Sequence, residues 1–514
     1  MQKIVYVAST GNNSDGSTWE KALTSIPNNS STAVAAGDSV FVKAGTYSLS
    51  QSTSGWACLA TKADVNYLGG FAGTETNSAQ RAKSDLDSNG IIEPWEFTNA
   101  STLNLTATNN AYGVYITTNT TTQRVFDGFK ITGSFDAGTL SASAGNTMVR
   151  IFGYTNFRNN TLDNCTLTAS GTLLASYTKG TLIFIGNGTA STVFNQVDNC
   201  LIQNNTSTVT AGSTQTDAQQ SPLVHMEASN GSGRNLFSNC VIRNNQITVN
   251  FSATTLTANY NTRGVLFSMS IQGSGSHTAW NAFKNNVVYN NDATYISPTS
   301  GAHSLGNGGL IFPYNTNYAS TDSIINNTIA NNKMTKIGTA IKIGINTTST
   351  SGLQNKTPYH KVLNNTIYNN TNYNGSTTSA ANLAVTANPD NTTAGILIAN
   401  NYSTAGGLTN TTGTNPNILN NVVDLSATNT DATKGAWFTA PTANTLIGYS
   451  TDASVVTSRW NISSSSYLIS KGTSTSNKYD KANIPFTSTP SVGAYEGGDV
   501  VIPAMQHRLS VRLL

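Results

Sequence analysis

Two stretches decide the fold: Phe194–Thr208, FNQVDNCLIQNNTST, and Asn235–Val249, NLFSNCVIRNNQITV. Each holds an apolar residue, a short polar step ending in Asn, two or three apolar residues and then Asn-Asn. The pattern recurs before them as FRNNTLDNCTLTAS from Phe157, and after them as NAFKNNVVYNNDAT from Asn281, DSIINNTIANNKMT from Asp322 and HKVLNNTIYNNTNY from His360. Aligned on the residue after an Asn step, the copies place Cys165, Cys200, Cys240, Val287, Thr328 and Thr366 together, at spacings of 35 to 47 residues. A second apolar run precedes each copy, as in MVRIFG from Met148, TLIFIG from Thr181, GVLFSM from Gly264 and GLIFPY from Gly309. The runs are short, rich in β-branched and aromatic residues, and bounded by Gly, Asn and Ser. None sustains the 3.6-residue period of a helix.

Short strands repeated without intervening helices cannot wind into a doubly wound sheet. Stacked coil upon coil, they form a solenoid of about three strands per turn. The expected fold is therefore all-β, a parallel β-helix solenoid. Coils stack about 4.8 Å apart, so equivalent residues form ladders. Asn tolerates the left-handed conformation of a corner and can bond to the Asn of the next coil. The Asn-Asn pairs are accordingly read as structural, and the three aligned cysteines as reduced thiols in an inward ladder that Val and Thr continue.

The composition fits a solenoid. Charged residues make up 10% of the 514, against roughly 25% in ordinary proteins, because ladders of like charges repel. The 27 basic and 24 acidic residues leave +3, too weak a field to gather nucleic acid. No apolar stretch approaches the length that spans a bilayer, so no membrane insertion is expected. No apolar signal region follows Lys3, so no signal peptide is read. Four cysteines, without CxxC or Cys/His spacing, suit neither a disulfide scaffold nor a zinc site.

Four regions are expected. Residues 1–110 form an N-terminal cap and first coils with an insertion, 111–430 the repeats, 431–499 the closing coils and cap, and 500–514 a tail or linker. The spacing of Trp19, Ala22, Leu23 and Ile26 predicts a short N-terminal capping helix.

The opening VYVASTGNNSDGSTWEKAL, the stretches AGDSVFVKAGTY, LGGFAGTET and RVFDGFKITGS, and the closing YLISKG and VGAYEGG resemble secreted or surface right-handed parallel β-helix proteins of Bacteroidota, related in fold to pectate lyases. That resemblance implies secretion or display at the cell surface. Its members include polysaccharide lyases and adhesin-like proteins.

One segment breaks the neutrality. In DLDSNGIIEPWE, Asp85, Asp87, Asn89, Ile91, Glu93 and Glu96 occupy positions 1, 3, 5, 7, 9 and 12 of a calcium loop, with Gly90 at 6. Alternating oxygens, a main-chain carbonyl at 7 and a carboxylate at 12 suit a hard cation. Pro94 opposes an exit helix, so a lone loop of EF-hand type, holding Ca2+ in a stabilising role, is expected.

No GxSxG, HExxH or phosphate-binding loop is present. The weak catalytic candidates are His225, Glu227 and Arg263, ionisable residues on adjacent coils, whose bland reading is solvated strand positions. The reading that follows is a secreted or cell-surface, adhesin-like protein that binds an extracellular glycan or a surface partner and leans away from being an enzyme. A polysaccharide lyase or hydrolase is the alternative. An ice-binding solenoid, suggested by Thr-rich stretches, needs a flat Thr array that variable repeat lengths argue against.

Overall fold

The computed structural model describes the strands and adjoining turns of residues 2–423, without many of the loops between them, and beyond Val423 only Ser474 and Pro485. The closing coils expected over 431–499 and the tail at 500–514 thus lie outside the described residues, those two apart.

The chain is a parallel β-helix. Three sheets run along it, and nearly every pairing joins a strand to its counterpart one coil on, in parallel. Sheet A takes strands such as Phe194–Asp198, Arg234–Ser238 and Trp280–Lys284. Sheet B takes two short strands per coil, such as Leu201–Gln203 and Thr206–Ala211. Sheet C takes strands such as Lys179–Gly186, Val224–Ser229 and Phe267–Gln272.

Alternation along each strand sends one set of side chains into a common core. In sheet A, Phe126, Phe157, Val197, Phe237, Phe283, Ile324 and Val362 follow one another in register and are buried. Phe126 stacks on Phe157 at 5.6 Å and Phe237 on Phe283 at 5.5 Å. Leu162, Ile202, Ile242, Val288 and Ile329 do the same in sheet B, as do Ile183, Val224 and Phe267 in sheet C. Each such side chain contributes roughly 1.5–3 kcal/mol by leaving water.

The asparagines divide their work. Two of the corners in each of five coils are Asn residues, at Asn159 and Asn164, Asn199 and Asn204, Asn239 and Asn244, Asn285 and Asn290, and Asn326 and Asn331, all with φ between 51° and 58°. Such φ values disfavour residues other than Gly and Asn. The residue after each corner Asn points inward and builds a ladder. In one, the side-chain oxygen of Asn245 accepts the Asn205 main-chain N–H at 3.1 Å and its Nδ2 at 2.9 Å. Asn245 Nδ2 in turn donates to Asn291 Oδ1 at 2.8 Å and to the carbonyl of Ile202 at 3.0 Å. Asn332 and Asn370 carry the ladder on. The other corner has its own ladder through Asn286, Asn327, Asn365 and Asn401. These are buried amides with their hydrogen bonds supplied by neighbouring coils, which is how an apolar core tolerates them.

The cysteines depart from the expected alignment. Cys200 and Cys240 are neighbours, with Cys200 N 3.4 Å from Cys240 Sγ, but their ladder continues into Asn286 rather than Val287. Val287, Thr328 and Thr366 pair with Val241 one residue later. Cys165 stands in the other ladder, its N–H donating to Asn205 Oδ1 at 2.8 Å. Both corners carry the same Asn-X signature five residues apart, so alignment by motif slides between them. Cys165, Cys200 and Cys240 are free thiols, as expected, and so is Cys58.

The N-terminal cap is not helical. Residues 17–26 run in turns and bends, with a parallel bridge between Val7 and Leu23. Leu23 donates to the Tyr6 carbonyl, and Ala8 to that of Leu23, each at 2.9 Å. Ala22 and Ile26 are buried at the end of the core while Trp19 packs against Tyr6 at 4.6 Å. The spacing that suggested a helix is met by a looped chain hydrogen-bonding to the first strand, and Pro27 ends it. The one helix among the described residues is the 3-10 turn Ser78–Gln80.

Candidate functional site

Between the sheet A strand Asn66–Phe71 and the sheet B strand Ser101–Thr108 the chain leaves the coil as an insertion. Its base is pinned by Arg81, which donates from both terminal nitrogens to Asp127, at 3.1 and 3.2 Å, and from one to the Gly69 carbonyl at 2.9 Å. Arg158 Nε reaches the same carboxylate at 2.8 Å. Asp127 is fully buried; burial opposes its charge, yet Arg81 and Arg158 together hold it below the usual carboxylate range. The Arg81 guanidinium also lies over Phe97, 4.5 Å from the ring centre.

Further along the insertion, Asp85, Asp87 and Glu96 bring carboxylate oxygens within 4.8 Å of one another. Glu96 is buried and shapes the loop: Oε1 accepts the N–H groups of Leu86 at 2.8 Å and Asp87 at 3.3 Å, and Oε2 that of Glu93 at 2.8 Å. The chain reverses with Ser88 at φ 58°. Burial raises the Asp87 carboxyl, the carboxylates of Glu96 and Asp85 add to the rise, and Arg243 counters it. Carboxylate oxygens brought this close together are the donor type a hard divalent cation takes. Glu93 is buried beside them but is not among the three converging carboxylates. Asn89 and Ile91 lie outside the described residues.

The insertion reaches well along the helix. Asp87 Oδ2 lies 3.5 Å from an Arg243 nitrogen, across 156 residues of sequence. Arg243 also donates to Gln203 Oε1 at 2.8 Å and the Tyr289 hydroxyl at 3.0 Å. Asp127 and Arg243 belong to coils three steps apart, so the insertion spans about 14 Å of the rod.

A second feature runs along the outer face of sheet C. Tyr115, Arg150, Phe184, His225 and Ser268 stand in register on successive coils. Trp56, 44% exposed, meets Tyr115 edge-on at 4.4 Å and Tyr112 at 5.9 Å. The Arg150 guanidinium lies 4.8–5.5 Å from the rings of Tyr112, Tyr115, Phe152 and Phe184 and donates to the Tyr112 hydroxyl. Among the described residues no carboxylate pairs with it. Phe184 in turn stacks on His225 at 5.7 Å. One line of contacts thus passes from an exposed indole to an imidazole.

The catalytic candidates fare unequally. His225 and Glu227 do face outward together, Nε2 to Oε2 at 3.8 Å, but they are not solvated: His225 is fully buried and the Glu227 side chain is 17% exposed. Two residues that sequence reading passed over complete the group. Ser268 Oγ lies 2.6 Å from His225 Nδ1, and Ser270 Oγ 3.4 Å from Nε2. Arg263 lies outside the described residues.

Sheet B bears on the ice-binding reading. Thr168, Thr208, Thr248, Thr294 and Thr335 are in register on five successive coils, so unequal repeats do not disturb the ladder. The next file runs Thr166, Thr206, Gln246, Asp292, Lys333, which leaves the array one residue wide over the later coils.

No family model and no curated protein matches the chain. Among solved structures, "Crystal structure of pectate lyase Pel9A" aligns over 97% of this chain and 97% of its own, at 15% identity and a TM-score of 0.40. At that level nothing about activity carries over; the fold rests on the strand register. No helix among the described residues is long and apolar enough to cross a membrane.

Proposed function

We propose that this β-helix is a secreted or cell-surface protein that binds an extracellular glycan along the outer face of sheet C, with a calcium ion fastening the insertion. One observation carries the reading: Trp56, exposed at the head of a line of rings and a guanidinium that follows the coil register. Sugar rings present C–H faces and hydroxyl edges. Trp56 and Tyr115 offer aromatic faces and edges to the first, and Arg150 offers donors to the second. The accessible part of the line is Trp56, Tyr115 and Arg150, with Tyr115 and Arg150 on neighbouring coils, while Phe184 and His225 beyond them are buried. Asp85, Asp87 and Glu96 would hold the calcium and supply charge neutralisation, keeping the insertion folded against Asp127 and Arg243.

The test is a glycan array with the native chain and with Trp56→Ala. Signal that the substitution weakens at least tenfold, with an unchanged melting temperature, supports the reading. Signal indifferent to Trp56, or none on any extracellular polysaccharide, defeats it.

A further inference from the structure

We infer that Ser268, His225 and Glu227 form a hydrolytic site for acyl esters on the same outer face, so that the glycan bound there is an O-acylated one. The substrate part of this inference rests on the glycan reading above; the chemistry does not.

The group is assembled by the coil register. His225 and Glu227 are two residues apart on one strand and so share a face, and Ser268 and Ser270 oppose them one coil on. A nucleophile within hydrogen-bond reach of a base, itself oriented by a third group, is the working signature of an activated hydroxyl. Ser268 Oγ meets His225 Nδ1 at 2.6 Å, and Nε2 faces the Glu227 carboxylate at 3.8 Å. With its hydrogen on Nε2, which has Ser270 Oγ at 3.4 Å and the Glu227 carboxylate at 3.8 Å, the imidazole presents the Nδ1 lone pair to Ser268. Phe184, stacked at 5.7 Å, fixes the ring plane. His225 and Ser268 are almost wholly buried, and Glu227 is the member open to solvent. A dry setting strengthens the pairing of imidazolium with carboxylate.

The chemistry balances without a further reagent. As Ser268 Oγ bonds to the ester carbonyl carbon, its proton passes to His225 Nδ1, and Glu227 stabilises the imidazolium. The carbon–oxygen bond to the leaving alcohol breaks, and that alcohol takes the proton from Nδ1. Water, deprotonated by the same nitrogen, then attacks the acyl-serine and releases a carboxylic acid and free Ser268. Three coil steps, about 14 Å, separate Ser268 from Arg150 along sheet C.

The full chain is treated with a fluorophosphonate probe, the adduct mapped by peptide mass spectrometry, and p-nitrophenyl acetate turnover measured in parallel. The expected result is an adduct on Ser268, with label and turnover both lost in Ser268→Ala and turnover lowered about 100-fold or more in His225→Gln. Ser134→Ala, on exposed sheet B, should retain both. No adduct and no turnover from the folded native chain overturns the inference, as does an adduct on Ser270 or label that survives Ser268→Ala. The two readings fail separately: ester turnover without glycan signal removes the glycan reading, and glycan signal without adduct or turnover removes this one.

Discussion

Asp322 gives the sharpest test of the ladder energetics. Asn195, Asn235 and Asn281 form a third buried ladder, each Nδ2 donating to the next side-chain oxygen, and it ends on Asp322 Oδ1 at 3.0 Å from Asn281. An acid thus stands where the pattern asks for an amide. Burial pushes its carboxyl up to about 8, against an ordinary 3.8. The folded chain therefore holds a proton that the unfolded chain releases over most of that interval. Stability from this group is fully present below pH 4 and declines as pH rises toward about 8. At pH 7 some three pH units of that interval have been crossed, a cost on the order of 4 kcal/mol at 1.36 kcal/mol each. Asp322→Asn removes the titration and continues the ladder; its amide would meet the carbonyl of Tyr314, in register with the Ser270 carbonyl that Asn281 uses. The variant should be more stable than wild type by several kcal/mol at pH 8 and about equal at pH 4. Thermal unfolding of both proteins at the two pH values reads this directly. Parallel dependence on pH, or a variant less stable at pH 8, would refute the assignment of the lost stability to Asp322.

Calcium at about 100 times its dissociation constant should stabilise the chain by about 2.7 kcal/mol. Asp85→Asn, which spares the main-chain bonds made by Glu96, should abolish that gain, and a calorimetric titration showing no calcium binding to wild type would end the metal proposal. Asn245→Ala strands partners on three residues and should cost about 3 kcal/mol or more, whereas Asn244→Gly at φ 55° next to it should cost far less; denaturant midpoints distinguish them. Burial pushes the Cys165 thiol up to about 12 and raises Cys240 well above its ordinary value. Iodoacetamide at pH 8 should therefore leave both unmodified until the chain is denatured.

The coil and its corners could be read from the chain because their signal is local: Asn-Asn steps recur with strand-length apolar runs between them. The three carboxylates of the insertion were readable for the same reason, since Asp85, Asp87 and Glu96 lie within one loop. What escaped was everything that depends on register between coils. Ser268 follows His225 by 43 residues and Arg150 follows Tyr112 by 38, and the intervening loops vary, so no spacing announces either contact. Cys165 aligns by motif with Cys200 and Cys240 but stands in the other ladder, because two corners five residues apart share one motif. Trp19 to Ile26 matched a helical period that hydrogen bonding to the first strand overrides.

The outer face of sheet C is where recognition is placed, and the most direct measurement compares glycan retention by wild type, Trp56→Ala and Arg150→Ala on the same array at matched folding. Retention that falls at least tenfold in both variants, on the same glycans, is the predicted result. Retention unchanged in both would contradict the placement and move the binding surface elsewhere on the rod.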